Sequence, residues 1–502
     1  MLSFQHNQID LHPYLLLIIS LFSLYFLTKW LICKKTSKKR LPPSPPRLPV
    51  LGNLHQLRAL THRSFQSLGA KHGSLMLLYF GRKPVIIVQS ADAASEILKK
   101  HDLIFADKPH SRTTRRLFYD LKDISVAPYG EYWRKLKSLC VLQLLSSKMV
   151  QSFSFIREEE TALLMKKIDS CCVSCSPVNL SELFVLLTNN VVCRAAFGRK
   201  YSEEESGKKF LMLMREVVQL LSSSIGIGEF IPWLSWINRV NGFDRRVDKV
   251  AEEVDDFLEL VIQEHINAVK NESGENFVDI LLSIYKDNNS GGIPIDRDSI
   301  KAIILDILAG GTDTTSATLE WAMTELLRHP TVLKKLQTEL RETLKDRKAI
   351  TNEDLGKMQY LKAVVKETLR FHPPITLLAR VAREDVTVMG HDVAAGTMIL
   401  INTWAIGREP ASWEEPDKFH PDRFLNSSVD FRGLDLELIP FGAGRRGCPG
   451  ITFAMGSIEL VLANLLHRFE WKLEEDLDTT ELPGTTIHRK YPLLAVATHC
   501  NL

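Results

Sequence analysis

The stretch FGAGRRGCPG, residues Phe441–Gly450, places four glycines, two arginines and one cysteine in ten positions. Its glycines at 442, 444 and 447 also satisfy the G-x-G-x-x-G pattern of a dinucleotide-binding loop. That interpretation requires a strand before the loop and further parallel strands to complete a sheet. Only 55 residues, 448–502, follow the last of these glycines, and they contain one good helical pattern, residues 451–469. The sequence therefore disfavours a dinucleotide site.

Cys448 indicates a different chemistry, because it lies just before this helical pattern. The dipole and the free amides of a helix N-terminus lower the pKa of a thiol and favour the thiolate, which can bind a metal. The surrounding glycines permit close approach of a flat group and leave amides free to bond the sulfur. Arg446 supplies a cation for a carboxylate. Flat, metal-containing and carboxylated describes haem, for which a cysteine thiolate is an established axial ligand.

The loop resembles the haem-binding signature of the cytochromes P450, F-x-x-G-x-R-x-C-x-G, here Phe441, Gly444, Arg446, Cys448 and Gly450. Two further motifs of that family precede it: Glu367-Thr-Leu-Arg370 matches E-x-x-R, and Phe419-His-Pro-Asp-Arg423-Phe matches P-E-R-F with Asp for Glu. The resemblance covers roughly residues 30–500. It implies that Glu367, Arg370 and Arg423 form a buried structural network around the haem.

The run Ala309-Gly-Gly-Thr-Asp-Thr-Thr315 lies at the centre of a long helical pattern, residues 299–328. Two glycines cost a helix about 1 kcal/mol each relative to alanine, so the run alone is also compatible with a kink or a loop. The resemblance instead implies a helix that passes over the haem iron. Gly310 and Gly311 would then open a groove for dioxygen, and Asp313 and Thr314 would supply protons.

The same resemblance implies further haem contacts. Trp133, Lys137 and Arg380 occupy positions that contact the haem or its propionates in the family, which completes a cofactor-binding set with Phe441, Arg446 and Cys448. Lys137 replaces the usual arginine, so a bidentate contact becomes a point-charge contact. Ala379 replaces a frequent proline, which predicts an unusual shape for the substrate-facing stretch Pro373–Ala379.

The N-terminus predicts a membrane anchor. Pro13–Cys33 is long and apolar enough to cross a bilayer, and Lys34, Lys35, Lys38, Lys39 and Arg40 follow it, whereas residues 1–12 contain no Lys or Arg. This charge asymmetry predicts an uncleaved anchor with the remaining chain in the cytosol. We predict three regions: an anchor over 1–33, a basic and proline-rich hinge over 34–49, and a haem-thiolate monooxygenase domain over 50–502.

Composition and cysteine spacing argue against a nucleic-acid partner, disulfides and a zinc site. The chain carries 63 basic and 60 acidic residues, a formal net charge of +3, so no global basic face indicates nucleic acid. A cytosolic location makes disulfides among the eight cysteines unexpected, and Cys172-Val-Ser-Cys175 lacks a second pair at zinc spacing. The sequons at Asn179, Asn271, Asn288 and Asn426 should stay unglycosylated with this topology.

Hydrophobic periodicity predicts a mainly α chain with small β-sheets, and the resemblance assigns it the cytochrome P450 fold, preceded by one N-terminal transmembrane helix. Helical patterns cover the ranges 65–71, 91–101, 131–145, 247–269, 299–327, 332–344 and 361–371. Strand patterns cover 75–80, 85–89, 386–389 and 398–402.

The resemblance predicts the activity: a haem-thiolate monooxygenase with haem b, iron protoporphyrin IX. It would use O2, electrons from NADPH–cytochrome P450 reductase and a small apolar substrate. The anchor, the hinge and Asn402-Thr-Trp-Ala-Ile-Gly-Arg408 resemble plant A-type members of the endoplasmic-reticulum membrane. The expected substrates are terpenoids, alkaloids or coumarin-like phenylpropanoids. Oxidative ring closure or dehydrogenation, a reductase-free isomerase or dehydratase, and a non-catalytic membrane haem protein are the alternatives.

Overall fold

The structure is a computed structural model of the chain. It describes the following residues: 20–21, 23–24, 40–174, 176–201, 205–223, 230–267, 276–287, 295–343, 349–473 and 477–500. The anchor predicted over Pro13–Cys33 lies outside them except at four positions, and Cys175, Asn271 and Asn288 also lie outside.

Helices dominate the described chain. In chain order they are α1 (Thr61–His72), α2 (Ala91–Ser95), α3 (Arg112–Leu117), α4 (Glu131–Leu139), α5 (Ser147–Ser152), α6 (Ser154–Ser174), α7 (Leu180–Phe197), α8 (Glu205–Ser223), α9 (Trp236–Val240), α10 (Phe243–Asn267), α11 (Phe277–Lys286), α12 (Arg297–Arg328), α13 (Pro330–Thr343), α14 (Gln359–Phe371), α15 (Thr403–Ile406) and α16 (Ile451–Arg468). The predicted mainly helical class is confirmed.

The strands form small sheets, as predicted. They are β1 (Leu75–Phe80), β2 (Lys83–Val88), β3 (Val178–Asn179), β4 (Leu377–Val381), β5 (Val386–Val388), β6 (His391–Val393), β7 (Met398–Asn402), β8 (Phe469–Lys472), β9 (Glu481–Leu482), β10 (His488–Arg489) and β11 (Leu494–His499). One sheet has the order β1-β2-β7-β4, in which β2 and β7 run parallel and the other pairs antiparallel. A second has the order β3-β11-β8, and β9-β10 and β5-β6 form two-stranded pairs.

The helix α12 forms the centre of the molecule. The side chain of Asp296 caps its first turn by accepting a hydrogen bond from Ser299 N at 2.8 Å. The helix packs along α7 and against α14 and α16. Its residues are buried over 299–305 and 315–327, but 309–314 keep accessible surface. The helix is therefore packed at both ends, and its middle is the part that no neighbouring element covers completely.

The predicted network around Glu367 is present. The Arg370 guanidinium donates to both carboxylate oxygens of Glu367, at 2.7 and 2.8 Å, and Arg423 Nε donates to the same carboxylate at 3.3 Å. Arg370 also donates to the carbonyls of Gly407, Pro416 and Lys418. This network ties α14 to the loop before the cysteine stretch.

By length and composition, Leu180–Phe197 could cross a membrane, and so could the bent pair Glu131–Ser152 and Ser154–Ser174. These are the candidates within the described part of the chain. However, 67% of the first window is buried inside the protein. That helix is α7, which packs along α12, so it belongs to the core.

Candidate functional site

The glycine-rich loop is shaped by two positive backbone angles. Gly442 has φ +70° and Gly444 has φ +67°, values that side-chain-bearing residues rarely adopt. A Cβ at Gly444 would lie 2.6 Å from Leu98 O, so this glycine is required by close packing inside the protein. Cys448 N then donates to Phe441 O at 2.9 Å and closes the loop. The sequence predicts that these glycines admit an approaching flat group, but the neighbour of Gly444 is the chain itself.

Phe441 anchors the other end of the loop. Its ring lies 5.5 Å from that of Phe431 in an edge-to-face arrangement and packs on the main core. Its carbonyl accepts the Cys448 amide, so the phenylalanine fixes the backbone that carries the thiol.

Cys448 presents its thiol at the start of α16. Gly450 N donates to its Sγ at 3.4 Å, which is the amide–sulfur contact expected of a helix N-terminus. The thiol is surrounded by protein to the depth of the core, yet its surface is accessible. Both observations hold when the thiol faces an internal space. Burial raises the pKa of Cys448, while the Gly450 amide and the Lys137 and Lys108 charges act to lower it.

Three of the predicted cations lie around this loop. Lys137 Nζ donates to Gly447 O at 2.9 Å and to Arg445 O. Arg446 donates through Nε to Ala106 O at 2.6 Å, with its guanidinium 4.0 Å from the Trp133 ring centroid. Arg380 is fully buried in β4 and donates to Ala379 O at 2.9 Å. The Trp133 indole donates to Ile124 O at 2.9 Å, so its N–H already has a protein partner.

Lys108 is a fourth cation that the sequence analysis did not identify. Burial, followed by the charges of Arg380 and Arg446, lowers the pKa of Lys108 to about 7. The charges of Asp123 and of Asp306 on α12 act to raise it, and the charge of Lys108 in turn acts on Cys448, so Lys108 belongs to the group of charges around the cysteine loop. No local pattern in Ala106-Asp-Lys-Pro-His110 distinguishes it from a surface lysine, so only the fold brings it to the site.

The buried cations of this cluster keep hydrogen-bond donors that fit the propionates of a haem. Burial lowers the pKa of Lys137 to about 8, and burial lowers the pKa values of Arg380 and Arg446 to about 10 each. Each of these shifts reflects positive charge held in a poorly solvated place. Arg446 uses three of its five N–H groups on backbone carbonyls and Arg380 uses one, so both retain free donors. The two propionates of a haem could accept from these free donors of Arg380 and Arg446.

The two glycines of α12 differ in surroundings. A Cβ at Gly310 would meet no atom within 4 Å, as expected for a glycine that borders an open groove. A Cβ at Gly311 would lie 3.0 Å from Val192 Cγ2. Gly311 therefore permits close packing of α12 on α7, and the prediction that both glycines open a groove is wrong for Gly311.

Asp313 and Thr314 are brought to the centre of α12 but have different partners. Thr314 Oγ1 donates to Gly310 O at 2.7 Å, on the open face. Asp313 Oδ1 accepts from His488 Nε2, 3.0 Å away on β10. Burial acts to raise the pKa of Asp313, but the hydrogen bond and charge of His488 outweigh it and hold that pKa below its usual value. His488 had no signal in the sequence, since 175 residues separate it from Asp313.

Comparisons with known proteins agree with this geometry. The family model described as "Cytochrome P450" matches residues 42–494. "Cytochrome P450 71A8" of Mentha piperita is 56% identical over 486 residues, which cover 96% of this chain and 95% of that protein. "Norfluorocurarine oxidase" of Strychnos sp is 47% identical, covering 97% of this chain and 96% of that protein. A solved zebrafish cytochrome P450 with progesterone has a TM-score of 0.76 at 26% identity, covering 88% of this chain and 99% of that one.

Proposed function

The chain belongs to the cytochrome P450 family as a plant A-type member, and from that premise we propose that it oxidises an apolar plant specialised metabolite while anchored to the endoplasmic reticulum. The observation that carries the proposal is the position of Cys448, whose thiol keeps accessible surface at the start of α16, beside the buried Arg380 and Arg446 and the half-buried Lys137. Proteins of this family use protoporphyrin IX haem and are monooxygenases.

Specific residues of this chain would hold the haem. Cys448 supplies the thiolate ligand, and Arg380 and Arg446 have N–H groups free for the propionates. Lys137 adds a point charge next to the thiolate, and Trp133 supports Arg446 through the face of its ring. When bound, the haem supplies the activation of dioxygen, and the thiolate favours cleavage of the O–O bond.

At the middle of α12, Asp313 and Thr314 would accept and transfer protons. The Thr314 hydroxyl has one donor, which Gly310 O accepts, and two lone pairs that remain able to accept. It can therefore hold a water in the groove beside Gly310. Asp313 is ionised and accepts a hydrogen bond from a cation, so it can receive a proton and pass it on.

The substrate would occupy the apolar space between the open middle of α12 and β4. The side chain of Thr376 is buried, and Thr403 Oγ1 donates to Ile375 O at 2.9 Å, so the segment before β4 is held rigidly. A mostly apolar cavity selects its ligand by shape, with few polar contacts. A terpenoid, an alkaloid or a coumarin-like phenylpropanoid satisfies that description.

The partner for electron supply would be NADPH–cytochrome P450 reductase. Exposed cations lie on the cysteine loop and on the segments that contact it: Arg445 on the loop, Arg134 and Lys135 on α4, and Lys99 and Lys100 after Leu98. Arg134 and Lys99 have no carboxylate partner among the described residues, whereas the other three each pair with one. Lys137 joins α4 to the loop through the carbonyls of residues 445 and 447. A basic face of this kind guides an acidic partner by long-range attraction, which salt weakens.

Exposed apolar side chains support the membrane location. Trp233, Trp236 and Val240 are largely exposed in the segment after Phe230. Gly81 N donates to Leu51 O at 3.2 Å, and a Cβ at Gly81 would lie 2.4 Å from Phe230 O. The apolar segment therefore lies on the side where the hinge leaves the body, as expected for a surface that rests on a bilayer.

The test is turnover by the purified full-length protein with a plant NADPH–cytochrome P450 reductase. A panel of terpenoids, alkaloids and coumarins is first screened for ligands that shift the haem absorption spectrum. We expect at least one ligand to be oxidised with consumption of NADPH and O2. Conversion without NADPH would favour the isomerase alternative, and no conversion of any tight-binding ligand would overturn the proposal.

A further inference from the structure

His488 connects the helix centre to the protein surface. It lies on β10, which packs against α12, and its two ring nitrogens face two carboxylates. Nε2 is 3.0 Å from Asp313 Oδ1, and Nδ1 is 3.8 Å from Glu320 Oε2. Asp313 and Glu320 are seven residues apart on α12, about two helical turns, so both point toward the same strand. One histidine therefore bridges the two acids.

The bridge is charged at neutral pH. Burial acts to lower the pKa of His488, but the hydrogen bond to Asp313 and the charges of Asp313 and Glu320 raise it to about 9. The charged groups near His488 also include Arg489 and Lys490, which follow it in the chain, and Glu481 of β9, which lies opposite Arg489. The Glu481 carboxylate forms hydrogen bonds with His62 and Arg63. The carboxylates that pair with His488 are therefore those of Asp313 and Glu320.

A surface pocket lies over this bridge. Its volume is about 180 Å³, and its lining includes Ser181, Ser316, Glu320, His488 and Lys490. These polar side chains share the lining with the apolar Val185 and Pro492, and at ~30 Å³ for each water molecule the pocket holds several waters that the polar groups can bind. His488 keeps part of its surface accessible. A proton can therefore travel from solvent through the pocket to His488.

Asp313 is arranged to receive a proton and deliver it. His488 holds one carboxylate oxygen, while the other, Oδ2, is buried and has no hydrogen-bond partner among the described residues. The following residue, Thr314, has its hydroxyl on the open face of α12. Asp313 thus lies between the pocket and the groove.

We propose that His488 positions Asp313, and that the pocket over His488 and Glu320 is the route by which protons from solvent reach the oxygen-activating side of α12. His488 donates to Asp313 and regains a proton from the pocket, so the chain of donors is restored after each turnover. The role of His488 is to position Asp313 and to supply it with a proton. His488 does not contact the reacting atoms. This inference rests on the proposed monooxygenase function.

Two variants test the two halves of the proposal. His488→Gln keeps a hydrogen-bond donor but has no charge to lose, and Val185→Trp fills the pocket from α7 without replacing any of the three residues of the bridge. Val173→Trp, on the exposed surface of α6, is the matched control for added bulk. For each we measure haem content, the binding spectrum of the substrate, and product and hydrogen peroxide per NADPH from pH 6.5 to 10.

We expect haem content and substrate binding to be unchanged in all variants. In the parent protein, product per NADPH should fall as the pH passes about 9, because His488 then loses its charge. In His488→Gln this ratio should be lower by about 10-fold, with the electrons diverted to peroxide, and should no longer depend on pH in that range. Val185→Trp should lower the ratio, whereas Val173→Trp should not.

The outcomes separate this inference from the function on which it rests. If the parent protein converts substrate and His488→Gln shows the same ratio and the same pH profile, His488 does not position Asp313. If His488→Gln lowers the ratio but Val185→Trp gives the parent's ratio, the pocket is not the proton route. If the parent protein itself forms no product, the proposed function fails.

Discussion

The Thr314 hydroxyl forms its hydrogen bond on the exposed middle of α12. Its replacement is predicted to uncouple NADPH oxidation from product formation. Thr314→Ala leaves Gly310 O without its side-chain donor and removes the group that would hold a water in the groove. Product per NADPH should fall by about 10-fold or more, because positioned proton transfer typically contributes at least that much. Product and hydrogen peroxide are measured with the same reductase.

Thr318→Ala is the matched control, because Thr318 Oγ1 makes the same kind of bond, to Thr314 O at 2.9 Å, from a buried position one turn further along. It should leave the ratio unchanged. Equal effects of the two variants would assign the loss to helix distortion and contradict a proton role for Thr314.

At the scale of single residues, motifs identified positions whose role depends on near neighbours in sequence, such as Cys448 and the Glu367–Arg370 pair. They did not identify Lys108 or His488, whose partners come from distant parts of the chain. A lysine or a histidine in a loop carries no pattern of its own, so the fold alone reveals such a contact.

At the scale of elements, the packing of α12 on α7 predicts opposite effects of two alanine substitutions. Both Gly310→Ala and Gly311→Ala gain about 1 kcal/mol of helix propensity. Gly310→Ala meets no neighbour, so the free energy of unfolding should rise. Gly311→Ala brings a methyl group to 3.0 Å from the buried side chain of Val192, and such overpacking costs about 1–3 kcal/mol.

Chemical denaturation of the two variants measures this difference. We expect Gly311→Ala to be less stable than Gly310→Ala by about 1–3 kcal/mol. Adding Val192→Ala to Gly311→Ala should recover part of the loss in a double-mutant cycle. Equal stabilities of the two glycine variants would contradict this prediction, because they would show that Val192 on α7 moves to accommodate the added methyl group.

The network that joins α14 to the loop before the cysteine stretch gives a second prediction at this scale. Glu367 and Arg370 are both fully buried. Arg370→Ala leaves the Glu367 charge buried with a weaker partner, Arg423, and should cost about 3–5 kcal/mol of unfolding free energy. Lys100→Ala breaks the exposed pair with Glu96 and should cost less than about 1 kcal/mol. Similar losses in both would contradict a structural role for the network.

Element boundaries followed the sequence closely where periodicity was strong. The pattern over 299–327 became α12 at Arg297–Arg328, and the pattern over 361–371 became α14 at Gln359–Phe371. The patterns over 91–101 and 131–145 instead split, because their last turns widen into π-helix at Glu96–Lys100 and Cys140–Leu144. Both wider turns adjoin segments that contact the site, and periodicity does not distinguish them from α-helix.

At the scale of the whole molecule, removal of residues 1–33 is predicted to release the protein from membranes while haem is retained. The deleted segment ends before the described part of the hinge, where Pro43 O accepts from Leu77 N at 2.8 Å and Arg40 N donates to Asp392 Oδ2 at 3.0 Å. The cation cluster lies far along the chain from the deleted segment. The exposed Trp233 and Trp236 should leave weak membrane binding. Fractionation and haem absorbance measure both properties.

Loss of haem from a folded truncated protein would contradict this division. Glycosylation of Asn179 in the full-length protein would contradict the topology. It would also disrupt the fold, because the Asn179 side chain caps α7 by accepting from Glu182 N at 3.2 Å.

The central claim is that Cys448 binds the haem iron as a thiolate, and the absorption spectrum of the reduced, carbon-monoxide-bound protein tests it most directly. The parent protein should show the red-shifted Soret band of thiolate ligation. Cys448→Ala should lose that band, while Cys500→Ala, a substitution far from the loop, should keep it. A Cys448→Ala protein that retains the red-shifted band would contradict the account.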